Sequence, residues 1–346
     1  MGHRILVAVA PHVGGAAAGT AVARALHGAG EATVVESLAE AAGALATAHV
    51  LVTALVPVTA GDLAGAPDLE LIQCATHGYE HVDLRAAARR GIPVCNIGSS
   101  GAEQHTVPEQ TFALLLALAK QIVPAHTAIT RGEWPFARLQ PSMTELHGKS
   151  LGVIGMGRIG REVARLARAF GMDVAYTART APEHPVDAAT GARYLNLEEL
   201  LRTSDVITLH APLNETTRHL LNAERLALLK PTAFVINTGR GGLIDQEALA
   251  DCLDAGAIAG AGLDVFDPEP PPADLRLLSS PRVVLSPHAG GGAREVLGRI
   301  VQATAANVLR HFDGQVPADR VDDPVAPEVS GAAPARRAVT IPLELD

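Results

Sequence analysis

The 346 residues predict an α/β protein of two doubly wound parallel-sheet domains with a cleft between them. Three observations carry that prediction. Strand and helix patterns alternate along most of the chain. A strand, a glycine turn and a helix follow one another near its middle, in Leu151-Gly152-Val153-Ile154-Gly155-Met156-Gly157-Arg158-Ile159-Gly160. A helical pattern from Arg294 to Phe312 follows the last strand and is long enough to cross back to the first domain. One domain is therefore expected from residues 1–100 with 292–320, and the other from the insert 101–291, with 321–346 as a partly mobile tail.

In chain order, Ile5–Ala10, Ala32–Val35, His49–Thr53, Leu69–Ala75 and Pro93–Asn96 read as buried strands, because each is a short apolar run bounded by turn residues. Thr20–Ala29 and Ala39–Ala46 read as helices between them. The stretch Gly14–Thr20 has the glycines of a phosphate loop but not its Lys, and reads as a flexible turn. Thr106–Ala119 is an apolar helix with Pro108 in its first turn, where a missing N–H does little harm. A looser, polar segment runs from Thr127 to Lys149. Beyond Ser150 come a helix from Arg158 to Phe170 and strands at Asp173–Tyr176, Val206–Leu209, Ala233–Asn237, Ala259–Leu263 and Val283–Ser286. Helices are expected near Leu197–Arg202, Ala223–Leu229 and Gln246–Ala255.

Composition narrows the class. A net charge of −9 argues against a nucleic-acid surface. No apolar run reaches the ~18 residues of a membrane span. Met1-Gly2-His3-Arg4 leads straight into a strand with no signal peptide, and three cysteines form no C-x-x-C pair, so a reducing cytoplasm is expected. Cys74 and Cys95 lie in apolar runs and read as packing residues, and no metal site is indicated.

The glycine turn carries the first chemistry. Gly155 lets the chain turn sharply, Gly157 lets a pyrophosphate approach the backbone, and Gly160 lets the helix pack close to the strand. The free N–H groups of the first helical turn then face the anion. Three further stretches sit at strand ends. Arg240, between glycines in Asn237-Thr238-Gly239-Arg240-Gly241, offers a fork of donors that matches a carboxylate, or is a solvated loop residue. Glu269 lies in the stiff Asp267-Pro268-Glu269-Pro270, which alone reads as an acidic surface turn. His288, in Ser286-Pro287-His288-Ala289-Gly290, is a catalytic acid or a helix-opening residue. Carboxyl ends of strands in an open α/β sheet converge on one crevice, and there the three make a set for carbonyl reduction. Arg240 would hold a carboxylate and polarise the adjacent ketone. His288 would give a proton to its oxygen as hydride reaches carbon, and Glu269 would hydrogen-bond the other ring nitrogen and favour the protonated acid.

These stretches, with Leu209-His210-Ala211-Pro212-Leu213, Gly262-Leu263-Asp264-Val265-Phe266 and Gly91-Ile92-Pro93-Val94, resemble the D-isomer-specific 2-hydroxyacid dehydrogenases. That family includes phosphoglycerate, glycerate/hydroxypyruvate, D-lactate, formate and phosphite dehydrogenases. The likeness spans about residues 45–315. It implies a flavodoxin-like substrate domain beside a Rossmann NAD(P)-binding domain, and an oxidoreductase acting on a small 2-keto or 2-hydroxy acid. It implies Arg240, Glu269 and His288 as the catalytic set. Arg158 and Ile159 would stand at the cofactor pyrophosphate, Pro212 along the dinucleotide, and Asp264 near the nicotinamide carboxamide; His210, Thr238, Gly239 and Gly290 join the same cofactor set. It also implies that amides of Thr76, His77, Gly78 and Tyr79 hold the substrate carboxylate, and that the enzyme is a homodimer formed around Gln121–Leu146.

The sequence departs from the family in three places. NAD-using branches carry an Asp at the end of the second strand of the dinucleotide unit, where this chain reads Thr177-Ala178-Arg179. An acid repels a 2′-phosphate and an Arg with Thr hydroxyls binds one, so NADP(H) is favoured over NAD(H). His77 replaces a small apolar residue, and with Ser99 and Ser100 it either accepts a second anionic group of the substrate or reflects loop variation. Pro108 and Gln110 replace the usual Ala and His. A nucleotide-sensing, corepressor-like protein of the same fold is the alternative reading. An NAD-dependent hydrolase is disfavoured, since residues 1–100 contain no Lys.

Overall fold

The computed structural model describes residues 2–184 and 186–321, so the expected tail lies almost wholly outside the described residues. The chain divides into two compact units. The first takes in the chain up to Val9, Gly19–Ser100 and the chain from Ala303; the second takes in Ala10–Ala18 and Gly101–Gln302. The sequence-derived boundaries differ in two respects. Residues 10–18 group with the second unit, and the return to the first comes at Ala303, inside the Arg294–Phe312 helix.

Five strands build the first unit: β1 (His3–Val9), β2 (Gly30–Val35), β3 (Val50–Ala54), β4 (Leu71–Cys74) and β5 (Val94–Cys95). Their order is β2-β1-β3-β4-β5 and every pairing is parallel. The strand positions follow the apolar runs, because a strand covered on both faces has no polar alternation to show. β3 and β4 are buried at every position. Cys74 and Cys95 are both buried, and burial pushes the Cys74 thiol well above its ordinary range, as suits a packing residue.

Two short helices here were not anticipated. Ala60–Ala64 is started by a capping box, in which Thr59 accepts from the Asp62 N–H and the Asp62 carboxylate accepts from the Thr59 N–H. Leu84–Arg89 is capped by Asp83. The expected flexible turn at Gly14–Thr20 is a correction: a helix runs from Gly15 to Ala25. Three consecutive alanines favour helix strongly enough to override the flanking glycines.

The second unit holds β6 (Ser150–Ile154), β7 (Asp173–Thr177), β8 (Arg193–Tyr194), β9 (Val206–Leu209), β10 (Phe234–Asn237), β11 (Gly260–Leu263) and β12 (Val283–Leu285). The order is β12-β11-β10-β9-β6-β7-β8, parallel throughout. Ile207, Leu209 and Val235 face a core with the helices Leu197–Thr203, Ala223–Leu226 and Gln246–Asp254. Their neighbours Val206, Phe234 and Ile236 face the opposite core, with the helices Thr106–Ala119 and Arg158–Ala169. The sheet is thus covered on both faces, and its order reverses between β6 and β9, the point where such sheets take ligands. Thr127–Lys149 is less loose than expected: Ile122–Thr130 and Phe136–Leu139 are helical. Among the described residues no single helix is long and apolar enough to cross a membrane.

Candidate active site

At the reversal point each glycine does a separate job. Gly155 follows β6 with φ +99°, and a Cβ there would lie 2.7 Å from the His210 carbonyl carbon beyond β9. A Cβ on Gly160 would overlap the Gly155 carbonyl, so only glycine lets the helix pack this close. A Cβ on Gly157 would meet no protein atom within 4 Å. Gly157 therefore lines open space at the start of the Arg158–Ala169 helix, whose first N–H groups, at Arg158 and Ile159, have no intrahelical acceptor. A pyrophosphate fits this cradle by charge and by clearance.

The rest of the expected cofactor set lines the same sheet edge. Thr177 ends β7 and is buried, with Arg179 exposed two residues on. No acid stands at that strand end. The following loop holds Glu183, which is exposed, and Asp187, which accepts from Arg161 Nε at 3.0 Å and from Thr190 Oγ1 at 2.9 Å. Burial pushes Asp187 up, but these bonds and the Arg161 charge outweigh it and hold the carboxyl below its ordinary range. His210 is half-buried, its Nε2 2.8 Å from Thr208 Oγ1, and burial holds its pKa down to about 3. Exposed Pro212 accepts at its carbonyl from Thr217 Oγ1.

The catalytic candidates follow β10, β11 and β12. After β10, Asn237 Oδ1 accepts from the Gly239 N–H at 3.0 Å while Asn237 Nδ2 donates to the Arg240 carbonyl at 2.9 Å. This brace holds half-buried Arg240, whose Nη1 donates to the Gly239 carbonyl at 2.7 Å. Glu269 Oε1 accepts from the Phe266 N–H at 2.9 Å, and Oε2 lies 2.7 Å from His288 Nδ1. Burial alone would raise the Glu269 pKa. The His288 hydrogen bond and charge, the Phe266 N–H and the Arg240 charge more than reverse that, so it sits below the ordinary carboxylate range. An ionised Glu269 can only accept, so Nδ1 carries a proton and Nε2 is the nitrogen left for a substrate.

Asp264, expected near the nicotinamide carboxamide, is held by its own protein partners. Its carboxylate is fully buried and accepts from Ser286 Oγ at 2.6 Å, the Ala289 N–H at 2.8 Å and the Gly290 N–H at 2.8 Å. It therefore grips the loop that carries His288, with one lone-pair direction at most left for a carboxamide. Nothing local in the sequence signals this, because the partners come together only through β11 and β12.

In the first unit, the candidate substrate residues cluster at the ends of β4 and β5. Asn96, which sequence reasoning missed, ties them: its Nδ2 donates to the His77 carbonyl at 2.8 Å and its Oδ1 accepts from the Gly98 N–H at 2.9 Å. Thr76 Oγ1 donates to the Gly78 carbonyl at 2.7 Å. Ser100 Oγ donates to the Ile97 carbonyl. Ser99 gives both its N–H, at 2.8 Å, and its hydroxyl, at 2.7 Å, to the Asp319 carboxylate.

Two parallel sheets, a dinucleotide cradle and a carboxylate-backed histidine beside an arginine define a dinucleotide-dependent oxidoreductase. Residues 112–290 match the model of the D-isomer specific 2-hydroxyacid dehydrogenase NAD binding domain. The chain is 39% identical over 272 residues to a glyoxylate reductase of Korarchaeum cryptofilum, covering 78% of this chain and 81% of that protein. It is similar to the structure of a D-lactate dehydrogenase from Aquifex aeolicus complexed with NAD and lactic acid, at 29% identity and TM-score 0.81, covering 92% of this chain and 99% of that one. It is also similar to an NADPH-dependent glyoxylate/hydroxypyruvate reductase from Sinorhizobium meliloti in complex with NADP and malonate, at 28% identity and TM-score 0.78, covering 92% and 97%. The chain belongs to the D-isomer specific 2-hydroxyacid dehydrogenase family, and it is an NAD(P)-dependent oxidoreductase of the CH–OH group.

Proposed function

We propose that this enzyme works as a reductase of small 2-keto acids bearing a single carboxylate, of the size of glyoxylate or hydroxypyruvate, with NADP(H) preferred, and that it acts as a homodimer. The observation that carries the chemistry is the 2.7 Å contact of His288 Nδ1 with Glu269 Oε2. It turns Nε2 toward substrate, from which the ring gives its proton to the carbonyl oxygen during reduction and takes it back in the reverse direction. Arg240 holds the substrate carboxylate and polarises the carbonyl. The Thr76–Tyr79 segment supplies further amide donors; among the described residues the Gly78 N–H has no protein acceptor. The bound dinucleotide supplies the hydride.

The preference for NADP(H) is supported by the bare strand end at Thr177-Ala178-Arg179 and by the engagement of Asp187 with Arg161 and Thr190. The strand end itself then presents no carboxylate to repel a 2′-phosphate. The preference for a one-carboxylate substrate is supported by Asp319, which already supplies an anion to both donors of Ser99. A second anionic group on the substrate would have to displace it.

The test is a reduction assay of glyoxylate, hydroxypyruvate and phosphohydroxypyruvate with NADPH and NADH, in the wild type and in His288→Gln and Arg179→Ala. The expected result is turnover of the first two acids, loss of about 10²-fold or more in kcat for His288→Gln, and loss of the NADPH margin for Arg179→Ala. Wild-type turnover by His288→Gln removes the proposed mechanism. Preferential turnover of the phosphorylated acid removes the substrate assignment. Binding of NADPH without turnover of any 2-keto acid would favour the nucleotide-sensing alternative.

A further inference from the structure

The helix Thr106–Ala119 carries no residue of the expected catalytic set, yet two of its consecutive residues reach both catalytic loops. Gln110 Nε2 donates to Ser286 Oγ at 2.9 Å, and Ser286 passes its own hydrogen to Asp264 Oδ1 at 2.6 Å. Asp264 then takes the N–H groups of Ala289 and Gly290 through its carboxylate, and that of His288 through its carbonyl at 2.7 Å. This grip matters because His288 has φ +56°, in the left-handed region that a non-glycine residue holds only when its surroundings impose it.

Thr111, the next residue, lies 2.9 Å from Thr238 Oγ1, both side chains being buried. The Thr111 hydroxyl donates to the Val107 carbonyl, so its one hydrogen is taken and Thr238 must be the donor between them. Thr238 is two residues from Arg240 in the loop braced by Asn237. Both chains of hydrogen bonds therefore have one direction each. One runs from Gln110 through Ser286 to the carboxylate that fixes His288, and the other fixes the start of the Arg240 loop.

We infer that Gln110 and Thr111 are a pair of positioning residues that set the proton-donating loop and the carboxylate-binding loop in register from one rigid helix. Neither touches substrate. Gln110 acts on His288 through Ser286 and Asp264, and Thr111 acts on Arg240 through Thr238. The inference rests on the reading of His288 and Arg240 given above. It requires the two arms to fail differently. Loss of the Gln110 arm loosens the proton donor and lowers kcat. Loss of the Thr111 arm loosens the carboxylate clamp and raises the keto-acid KM.

The experiment compares Gln110→Leu, Ser286→Ala and Thr111→Val with the hydroxyl-keeping Ser286→Thr and Thr111→Ser, measuring kcat, keto-acid KM, dinucleotide Kd and melting temperature. Gln110→Leu and Ser286→Ala should lower kcat about 10-fold or more, with dinucleotide Kd unchanged. Thr111→Val should raise KM about 10-fold. Ser286→Thr and Thr111→Ser should restore most of each loss. Wild-type kcat and KM in the apolar variants overturn the inference, even if their melting temperatures fall, because the contacts would then serve packing alone. Equal losses in the hydroxyl-keeping variants overturn it too. His288→Ala and Arg240→Ala separate the two failures. If these keep wild-type turnover, the reading of the site fails; if they lose it while the helix variants do not, only the positioning inference fails.

Discussion

His210 shows how much one half-buried ring can say about pH. Its pKa is held down to about 3 by burial, whereas an unfolded histidine titrates near ~6.5. The unfolded chain therefore binds more protons than the folded one between those values, so stability rises with pH across the window and levels off above it. Acidification below ~6.5 should remove stability by up to about 1.4 kcal/mol per pH unit from this group alone. A His210→Asn variant lacks that term. Urea midpoints measured from pH 7.5 down to pH 4 should fall less steeply for the variant than for the wild type, whatever its stability at neutral pH. Parallel curves would mean that the ring protonates in the native state. Glu269 acts in the same sense over a more acidic window: its lowered pKa adds stability above the ordinary carboxylate range, and that contribution is lost as the pH falls through that range.

The glycine turn is a device of the whole strand–turn–helix element, and its glycines separate cleanly by what they face. A Cβ on Gly160 would overlap the Gly155 carbonyl, while one on Gly157 meets nothing within 4 Å. Gly160→Ala should therefore lower the melting temperature and the affinity for dinucleotide together, since the helix must move away from β6. Gly157→Ala should leave the melting temperature alone and weaken only dinucleotide binding, because the methyl group enters space reserved for the ligand. Calorimetric melting beside fluorescence titration with NADPH checks both; a normal titration for Gly157→Ala would mean that the cradle lies elsewhere. This element was legible in the sequence because its three glycines are local. So were most of the strands, as unbroken apolar runs. β8, two residues long, was not, since it carries too few positions to show a period. Arg240, Glu269 and His288 could be named as candidates from their strand-end context and from family likeness. The ties among Gln110, Ser286 and Asp264, and between Ser99 and Asp319, could not, because they join residues more than 20 positions apart and leave no pattern along the chain.

At the scale of the molecule, the second unit leaves one stretch of chain conspicuously apolar and uncovered. Ile122, Val123, Ile129, Trp134 and Phe136 are all at least half exposed, Trp134 by 85%. In the Ile122–Thr130 helix only Ala128 is buried. A helix that turns its large apolar residues outward is stable in water only with something laid over them. The proposed cover is the same stretch of a second copy. Trp134 is the chain's single tryptophan, so its emission reports on this segment alone. The wild type should sediment at twice the chain mass with the blue emission of a buried indole, and dilution should shift that emission to the red as the mass halves. Ile122→Asp with Ile129→Asp should give a monomer with red emission at every concentration. A wild type that sediments as a monomer, with the emission of a fully exposed indole at all concentrations, would leave this face without its proposed partner and the homodimer without support.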